Sequence, residues 1–494
     1  MKRIICSLIA VLAGLSACSL EEKMASTVSP KDFFKSEEEC KAALNACYIP
    51  VRNIYNYPFF FAVECCTDLM FCNSNTLDSQ LDISPANPRC GETVWNQAWL
   101  GVKNANTTLD GIEKSALDDE VKKPLMGEAI VMRAYYYYIL TSFFGDVPFW
   151  EGGIPDPERL MQIARLPRMD AVQTRAKLIE ELQDCASWMP QERTYEDPEH
   201  RARAAVAYML IGKLAMWNEQ WEDAVEALGE LETIYGDFSQ YPLSDIPFSR
   251  HNVPESIMEV QHKYVLGGIN YTTALASVCT PRRQTGTDIY DGVSIPELGN
   301  MSVTYNPARP NLYYTQNLIP KDSQDLRKEI NMAWGWNGQT FDNAKAERGF
   351  LGPKFWCWNM QNDADGNNYK IFRYADALLM LSECWCKLGD QEKSVKYLNL
   401  IKTRAGISAY RFRNYPALLE EIQAERGREL FGEFQRKFDL VRWGIWYYQT
   451  STCNDFSKVK ANIRPFHEYY PIPDVEVKNS GGALDNKAYE GGNV

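Results

Sequence analysis

Apolar residues recur at intervals of three and four along most of the chain up to residue 235, and again over 371–445. That period predicts helices. Ser36 stands before Glu37, Glu38 and Glu39, a capping residue followed by carboxylates that suit the positive end of a helix, so 36–49 reads as a helix. Residues 93–114 place Trp95, Trp99 and Val102 on one face and predict a second. A long helix is expected over 120–144, ending near Gly145. Its four consecutive tyrosines, Tyr135 to Tyr138, point to several faces, so much of it must be buried. Residues 170–188 and 201–217 complete this set. Between 237 and 370 the period is lost, and Gly, Pro, Asn and aromatic residues take over. Long irregular segments on a helical scaffold are where binding is usually located.

Two stretches share a layout. Residues 205–231 and 375–401 each read as an apolar helix, a short polar turn and a second helix, with Trp221 to Val225 matching Gln391 to Val395. This resembles the tetratricopeptide repeat, a helix-turn-helix unit of about 34 residues. Tyr374, Leu378, Leu381, Trp385 and Leu388 form an apolar stripe in the second copy and read as packing.

Composition narrows the class. The chain has 494 residues, of which 13 Trp, 27 Tyr and 21 Phe can bury a large core, so disorder is excluded as the dominant state. Its 52 basic and 65 acidic residues give a net charge of −13, which excludes a general nucleic-acid binder. A mean hydropathy of −0.38 and the lack of a second long apolar run exclude a polytopic membrane protein.

The N-terminus has Lys2 and Arg3, then an apolar run from Ile4 to Leu15, then Leu15-Ser16-Ala17-Cys18. That is a secretory signal with small residues before a cysteine. It resembles a bacterial lipobox, in which Cys18 is acylated and tethers the protein without spanning the membrane. The Glu21-Glu22 pair resembles the surface-export signal of some Gram-negative lipoproteins, implying the outer face of the outer membrane. Expected boundaries are 1–17 for the signal, 18–236 for an N-terminal helical region, and 237–494 for a C-terminal region. The last comprises the loop-rich insert 237–370 and helices over 371–445.

Of the 14 cysteines, setting aside Cys6 and Cys18 leaves 12, with no CxxC among them. Most read as small buried hydrophobes. His200, His251, His262 and His467 are scattered and no HExxH occurs, so no zinc site and no cofactor are expected. The stretch 363–367 resembles part of a calcium loop but lacks its terminal glutamate. Asp363 and Asp365 therefore stand only as a weak calcium option against a polar turn.

In 425–444, Leu430, Phe434, Phe438 and Val441 follow helical spacing and predict one buried face. Arg426, Glu429, Glu433 and Arg436 fall on another stripe and predict a charge ladder worth about a few tenths of a kcal/mol per pair. The carboxylates have arginine neighbours, so a structural ladder is preferred to a catalytic dyad.

Several segments together resemble the SusD/RagB family of surface lipoproteins. These are the 425–444 stretch, 127–150 ending in Phe-Gly-Asp-Val-Pro-Phe-Trp, 371–383, 398–407, the Pro-Ile-Pro region 469–480, and 29–48. They run in family order, although the terminus at Asp485 to Tyr489 departs from the usual ending. The resemblance implies an all-α fold with tetratricopeptide-like helix pairs, a SusD-like scaffold, long irregular ligand-facing loops and little β-structure. It implies a lid on a SusC-like TonB-dependent outer-membrane barrel, one that captures a glycan, or a peptide in RagB-like members, and breaks no bond. Sugars offer apolar C–H faces beside hydroxyls, which aromatic rings and polar side chains match. Trp334, Trp336 and Asn337 are first candidates for ligand contact; in an extended loop the two rings would point the same way. Asp68, Phe71 and Asn73 form a second group, since the family often uses loops from this early region, and Tyr290 is a further aromatic of the insert. Loop packing remains the competing reading for each aromatic. Trp356 and Trp358 read as structural. An enzyme with paired carboxylates and a structural lid without a ligand are the alternatives from other classes.

Overall fold

Ser36 caps the first helix, its hydroxyl accepting the Glu39 N–H at 3.3 Å. The computed structural model that begins here describes residues 33–490, apart from 75, 77, 302–306 and 346. The signal segment 1–17, Cys18, Glu21 and Glu22 lie outside the described residues. The principal helices before the insert are α1 (Glu37–Ile54), α2 (Cys90–Glu113), α3 (Asp119–Phe144), α4 (Ala171–Ala186), α5 (Ala204–Trp217) and α6 (Trp221–Tyr235). After it come α7 (Tyr374–Lys387), α8 (Gln391–Arg404), α9 (Tyr415–Glu429), α10 (Arg436–Arg442) and α11 (Trp446–Cys453).

From α1 to α8 each helix packs on the next, and α9 lies on α7. This is the helix-pair stacking of a solenoid. Gly212 permits the close approach of α5 and α6, since a Cβ there would fall 2.6 Å from Leu228. α6 packs directly on α7 although residues 236–373 lie between them. Tyr235 ends α6, Tyr374 begins α7, and their rings stack with centroids 5.1 Å apart. The chain thus leaves the solenoid and re-enters it at one point.

One apolar cluster draws on residues from Cys47 to Leu484 and contains Tyr135, Tyr136, Tyr137 and Tyr138. Buried phenols need partners. Tyr135 donates to the Tyr55 hydroxyl at 2.7 Å, and Tyr137 to the Trp150 carbonyl at 3.2 Å. None of the 12 cysteines among the described residues forms a disulfide, and all but Cys453 are buried.

Strands are short: β1 (Met70–Phe71), β2 (Ser256–Val260), β3 (Arg309–Pro310), β4 (Met332–Ala333), β5 (Gly335–Trp336), β6 (Gln339–Thr340), β7 (Phe350–Leu351) and β8 (Tyr369–Arg373). β2 pairs with β8, β1 with β3, β4 with β7 and β5 with β6, all antiparallel. β7 also lies beside β3. A satellite core inside the insert gathers Tyr290, Phe341, Phe350, Trp356 and Met360.

The 425–444 stretch corrects the expectation of one helix with a charge ladder. α9 stops at Glu429 and α10 starts at Arg436. Gly432 (φ 74°) and Phe434 (φ 61°) sit in left-handed conformations between them, which breaks the helix. The four charged residues do not pair with one another. Arg426 holds Asp376 and Asp439, Glu429 holds Arg327, Arg373 and Arg404, Glu433 holds Lys354 and Arg373, and Arg436 holds Asp68.

These pairs belong to buried networks of balanced charge. Arg327, Lys354, Arg373, Lys402, Arg404 and Arg428 interlock with Glu255, Asp325, Glu421, Glu425, Glu429 and Glu433. Lys213, Arg426 and Arg442 do the same with Asp376, Glu383 and Asp439. Burying a charge is tolerable only with full compensation, and here six cations meet six anions and three meet three.

Candidate loop face for ligand capture

The early loop is held from below. A π-helical turn, Phe61–Cys65, carries Glu64, whose Oε1 accepts the backbone N–H groups of Gln435 (2.7 Å) and Arg436 (3.2 Å) where α10 begins. Burial pushes the Glu64 carboxyl up to about 8 against those donors. Asp68 takes both arms of the Arg436 guanidinium, at 2.8 and 2.7 Å, and accepts from Gln449 at 3.2 Å. Asn454 donates to the carbonyls of Cys65 and Thr67, and Asn311 donates to the Thr67 carbonyl while accepting the Asp455 N–H. The result is a fixed strand β1 with Phe71 at its end and the exposed Asn73 beyond it.

Pairing then assembles the face. Phe71 lies opposite Arg309, and Phe350 lies opposite Ala333. β1 pairs with β3 and β7 with β4, the two pairs meet where β7 lies beside β3, and the next residue after β4 is Trp334. The Trp334 ring covers Gly349, where a Cβ would stand 3.2 Å from it. Phe71 and Trp334, about 260 residues apart in sequence, are brought to one edge. Cations decorate it. Arg348 lies 5.0 Å from the Phe71 ring centroid, Arg309 3.6 Å from that of Phe350, and Lys321 5.5 Å from that of Trp334. The Trp334 Nε1 is buried without an acceptor.

Trp336 and Asn337 lie on a second, neighbouring surface. Asn337 (φ 47°) and Gly338 (φ 77°) make the two-residue turn between β5 and β6, the pair favoured for a type I′ hairpin. Trp336 packs on the satellite core, 5.1 Å from Trp356 and 5.8 Å from Trp358. Trp334 packs on the main core instead. The expectation that both rings would point the same way is thus corrected, because strand pairing ends between them and the hairpin redirects the chain. Trp356 is fully buried, whereas Trp358 is half-exposed beside Trp336, with Asn337 and Asn359 exposed at the rim.

The remaining candidates are placed as follows. Asp68 is fully buried and its carboxylate is spent on Arg436 and Gln449. Tyr290 is fully buried under the Ile289–Tyr290 and Val293–Ser294 hairpin. Both support the face from within. The Asp365 carboxylate is buried and accepts the N–H groups of Ala276 and Asn367 and the Tyr369 hydroxyl, each at 2.9 Å. Asp363 points from the exposed side of the turn, and no group of three or more ligating side chains converges among the described residues, so this donor set does not fit calcium. The sequence reading missed Arg309, Arg348 and Lys321, since nothing local marks a cation that strand pairing will lay over a ring.

Residues 305–489 match a family model described as the SusD family, and residues 20–216 match one described as starch-binding associating with outer membrane. The SusD-like protein P25 of Formosa agariphila is 24% identical, with the alignment covering 96% of this chain and 95% of that protein. Surface glycan-binding protein A from Bacteroides uniformis superposes with a TM-score of 0.72 at 22% identity, covering 92% of this chain and 100% of that one. The protein of the same name from Bacteroides thetaiotaomicron, in complex with laminarihexaose, gives 0.71 at 21% identity over 92% and 99%.

Proposed function

The chain belongs to the SusD-like family, and from that premise we propose that it captures glycans at the cell surface and passes them to a TonB-dependent outer-membrane barrel of the SusC type. The observation that carries the reading is the set of strand pairings that brings the largely buried Phe71 and the half-buried Trp334 to one region, with Asn73 exposed just beyond β1. Rings for sugar faces and polar groups for hydroxyls stand within one surface, with the Trp336 and Trp358 pair as a second platform next to it. The starch-binding description of the family model and the laminarihexaose bound by a neighbour of the same fold support glycan as the cargo class.

The role is binding without bond cleavage. The most strongly held carboxylates, Glu425, Glu429, Glu433 and Asp439, are buried under arginines and lysines rather than facing one another across a cleft. Acylation of Cys18 would keep the capture face at the outer surface, which the run from Leu15 to Glu22 supports.

The test uses residues 19–494, titrated by calorimetry with polysaccharides, host-type glycans and peptide digests. The expected result is a glycan ligand with a dissociation constant near 1 μM, about −8 kcal/mol. Alanine at both Trp334 and Trp336 is expected to weaken it about tenfold in a protein that still melts normally. Unchanged affinity in that variant would move the site elsewhere. Heat with peptides alone would replace glycan by peptide as cargo, and intact oligosaccharide after incubation is the outcome required of a non-enzyme.

A further inference from the structure

The charges around Phe71 carry more than a general sugar surface requires. Arg309 is half-buried, stacked at 3.6 Å on Phe350, and makes one hydrogen bond to the described residues, from Nη1 to the Asn343 carbonyl at 3.3 Å. No carboxylate of the described residues comes within ion-pair distance of it. The nearest acid acting on it is Asp291, whose two oxygens already accept the Asn343 N–H (2.7 Å) and side-chain amide (2.5 Å). Desolvation and the neighbouring Arg348 pull the Arg309 guanidinium down to about 10, against the pull of Asp291.

Arg348 stands over Phe71 and holds Asp455 through Nη2 at 2.5 Å. That carboxylate is shared, since it also accepts the Leu312 N–H at 2.6 Å. The Arg348 Nε is buried with no acceptor. Of these two guanidinium groups only Arg348 meets a carboxylate among the described residues, whereas Arg327 and Arg373 in the interior meet three acids each. A guanidinium flat on an aromatic ring presents its N–H edge outward, the geometry that grips a planar or tetrahedral oxyanion.

We infer that this face selects acidic saccharides, with a carboxylate or sulfate ester seated at the Arg309 and Arg348 edge while the sugar ring lies toward Trp334. The inference rests on the glycan-capture reading and specifies its ligand. The anion completes a guanidinium that has few acceptors among the described residues, so charge on the ligand contributes to affinity and neutral sugars lose that term.

The experiment compares oligosaccharides of equal length: a uronate oligomer, a sulfated oligomer and a neutral glucan, together with an acidic peptide. Each is titrated into residues 19–494 and into Arg309→Gln and Arg309→Lys at low and high salt. The expected result is about tenfold or greater preference for at least one acidic saccharide, lost in Arg309→Gln and partly kept in Arg309→Lys. Neutral binding should weaken less than acidic binding in both variants, and high salt should erode only the acidic preference. The uronate and sulfate arms tell the two oxyanions apart. Equal binding of neutral and acidic sugars, or a preference that survives Arg309→Gln, overturns the inference and leaves glycan capture standing. An acidic peptide bound as tightly as the acidic sugar also overturns it. Failure of every saccharide overturns both readings.

Discussion

Arg373 is fully buried and touches three carboxylates, those of Glu255, Glu429 and Glu433, at 2.7 to 3.0 Å. Removing it leaves acids unpaired in a dry interior, which costs far more than a surface pair is worth. Arg373→Met is expected to destabilise the protein by about 3–5 kcal/mol in chemical denaturation; a loss under about 1 kcal/mol would mean that water or relaxation compensates. The same groups set the acid limit. Burial alone would raise Glu429 and Asp439, but the arginines around them outweigh it and hold both well below the usual carboxylate range. The unfolded chain therefore takes up protons near pH 4 that the folded chain refuses, so stability present above that pH is lost as pH falls. His262 and His467 add to this from higher pH. Burial lowers them to about 4 and about 3, so they favour the fold fully only above about 6.5, the unfolded value. Glu64, raised to about 8, opposes the histidines between about pH 8 and about 4.5, so melting temperature should fall steeply only below about pH 4.5, and a flat profile from there to about pH 3 would contradict these assignments. At this scale the sequence showed which residues were charged but not whom they would meet. Arg426 and Glu429 are neighbours in sequence, yet each pairs with residues at least a dozen positions away.

Among the elements, the tight connection between α9 and α10 is the part that local pattern misreports. Leu430, Phe434 and Phe438 are spaced as on one helix, because two short helices can preserve the phase of a long one across a break. The only local sign of the break was Gly432, and its meaning came from packing: a Cβ there would lie 2.4 Å from the Phe355 ring, at a φ of 74°. Gly432→Ala is expected to cost more than about 1 kcal/mol, and because the turn aims Arg436 at Asp68, ligand affinity should weaken with it. A variant of normal melting temperature and affinity would show the turn to be adaptable. The solenoid helices were legible, since each carries its own period. The strands were not. β1 with β3 and β2 with β8 join residues more than a hundred positions apart, and two-residue strands have no period to read. The candidate face follows suit: its aromatic members were recognisable by type, while their assembly depended on those pairings.

For the molecule as a whole, one apolar core and one charge network tie scaffold and insert together. Arg327 and Lys354 belong to the insert, and their partners Glu425, Glu429 and Glu433 belong to α9 and the turn after it. Far-UV circular dichroism, which follows the helices, and tryptophan fluorescence, to which Trp334, Trp336, Trp356 and Trp358 contribute, should therefore report coincident thermal transitions at neutral pH. An earlier fluorescence transition would mean that the insert melts alone.

The stacked Tyr235 and Tyr374 make the insert look like a cassette clipped between two adjacent posts, and its recognition loops an obvious target for transplantation between related scaffolds. The clip is only half of the fastening. A donor cassette lacking an arginine and a lysine at the positions of Arg327 and Lys354 would leave the recipient's glutamates short of counterions, and the chimera would be weakened in its interior however well its loops matched the new cargo.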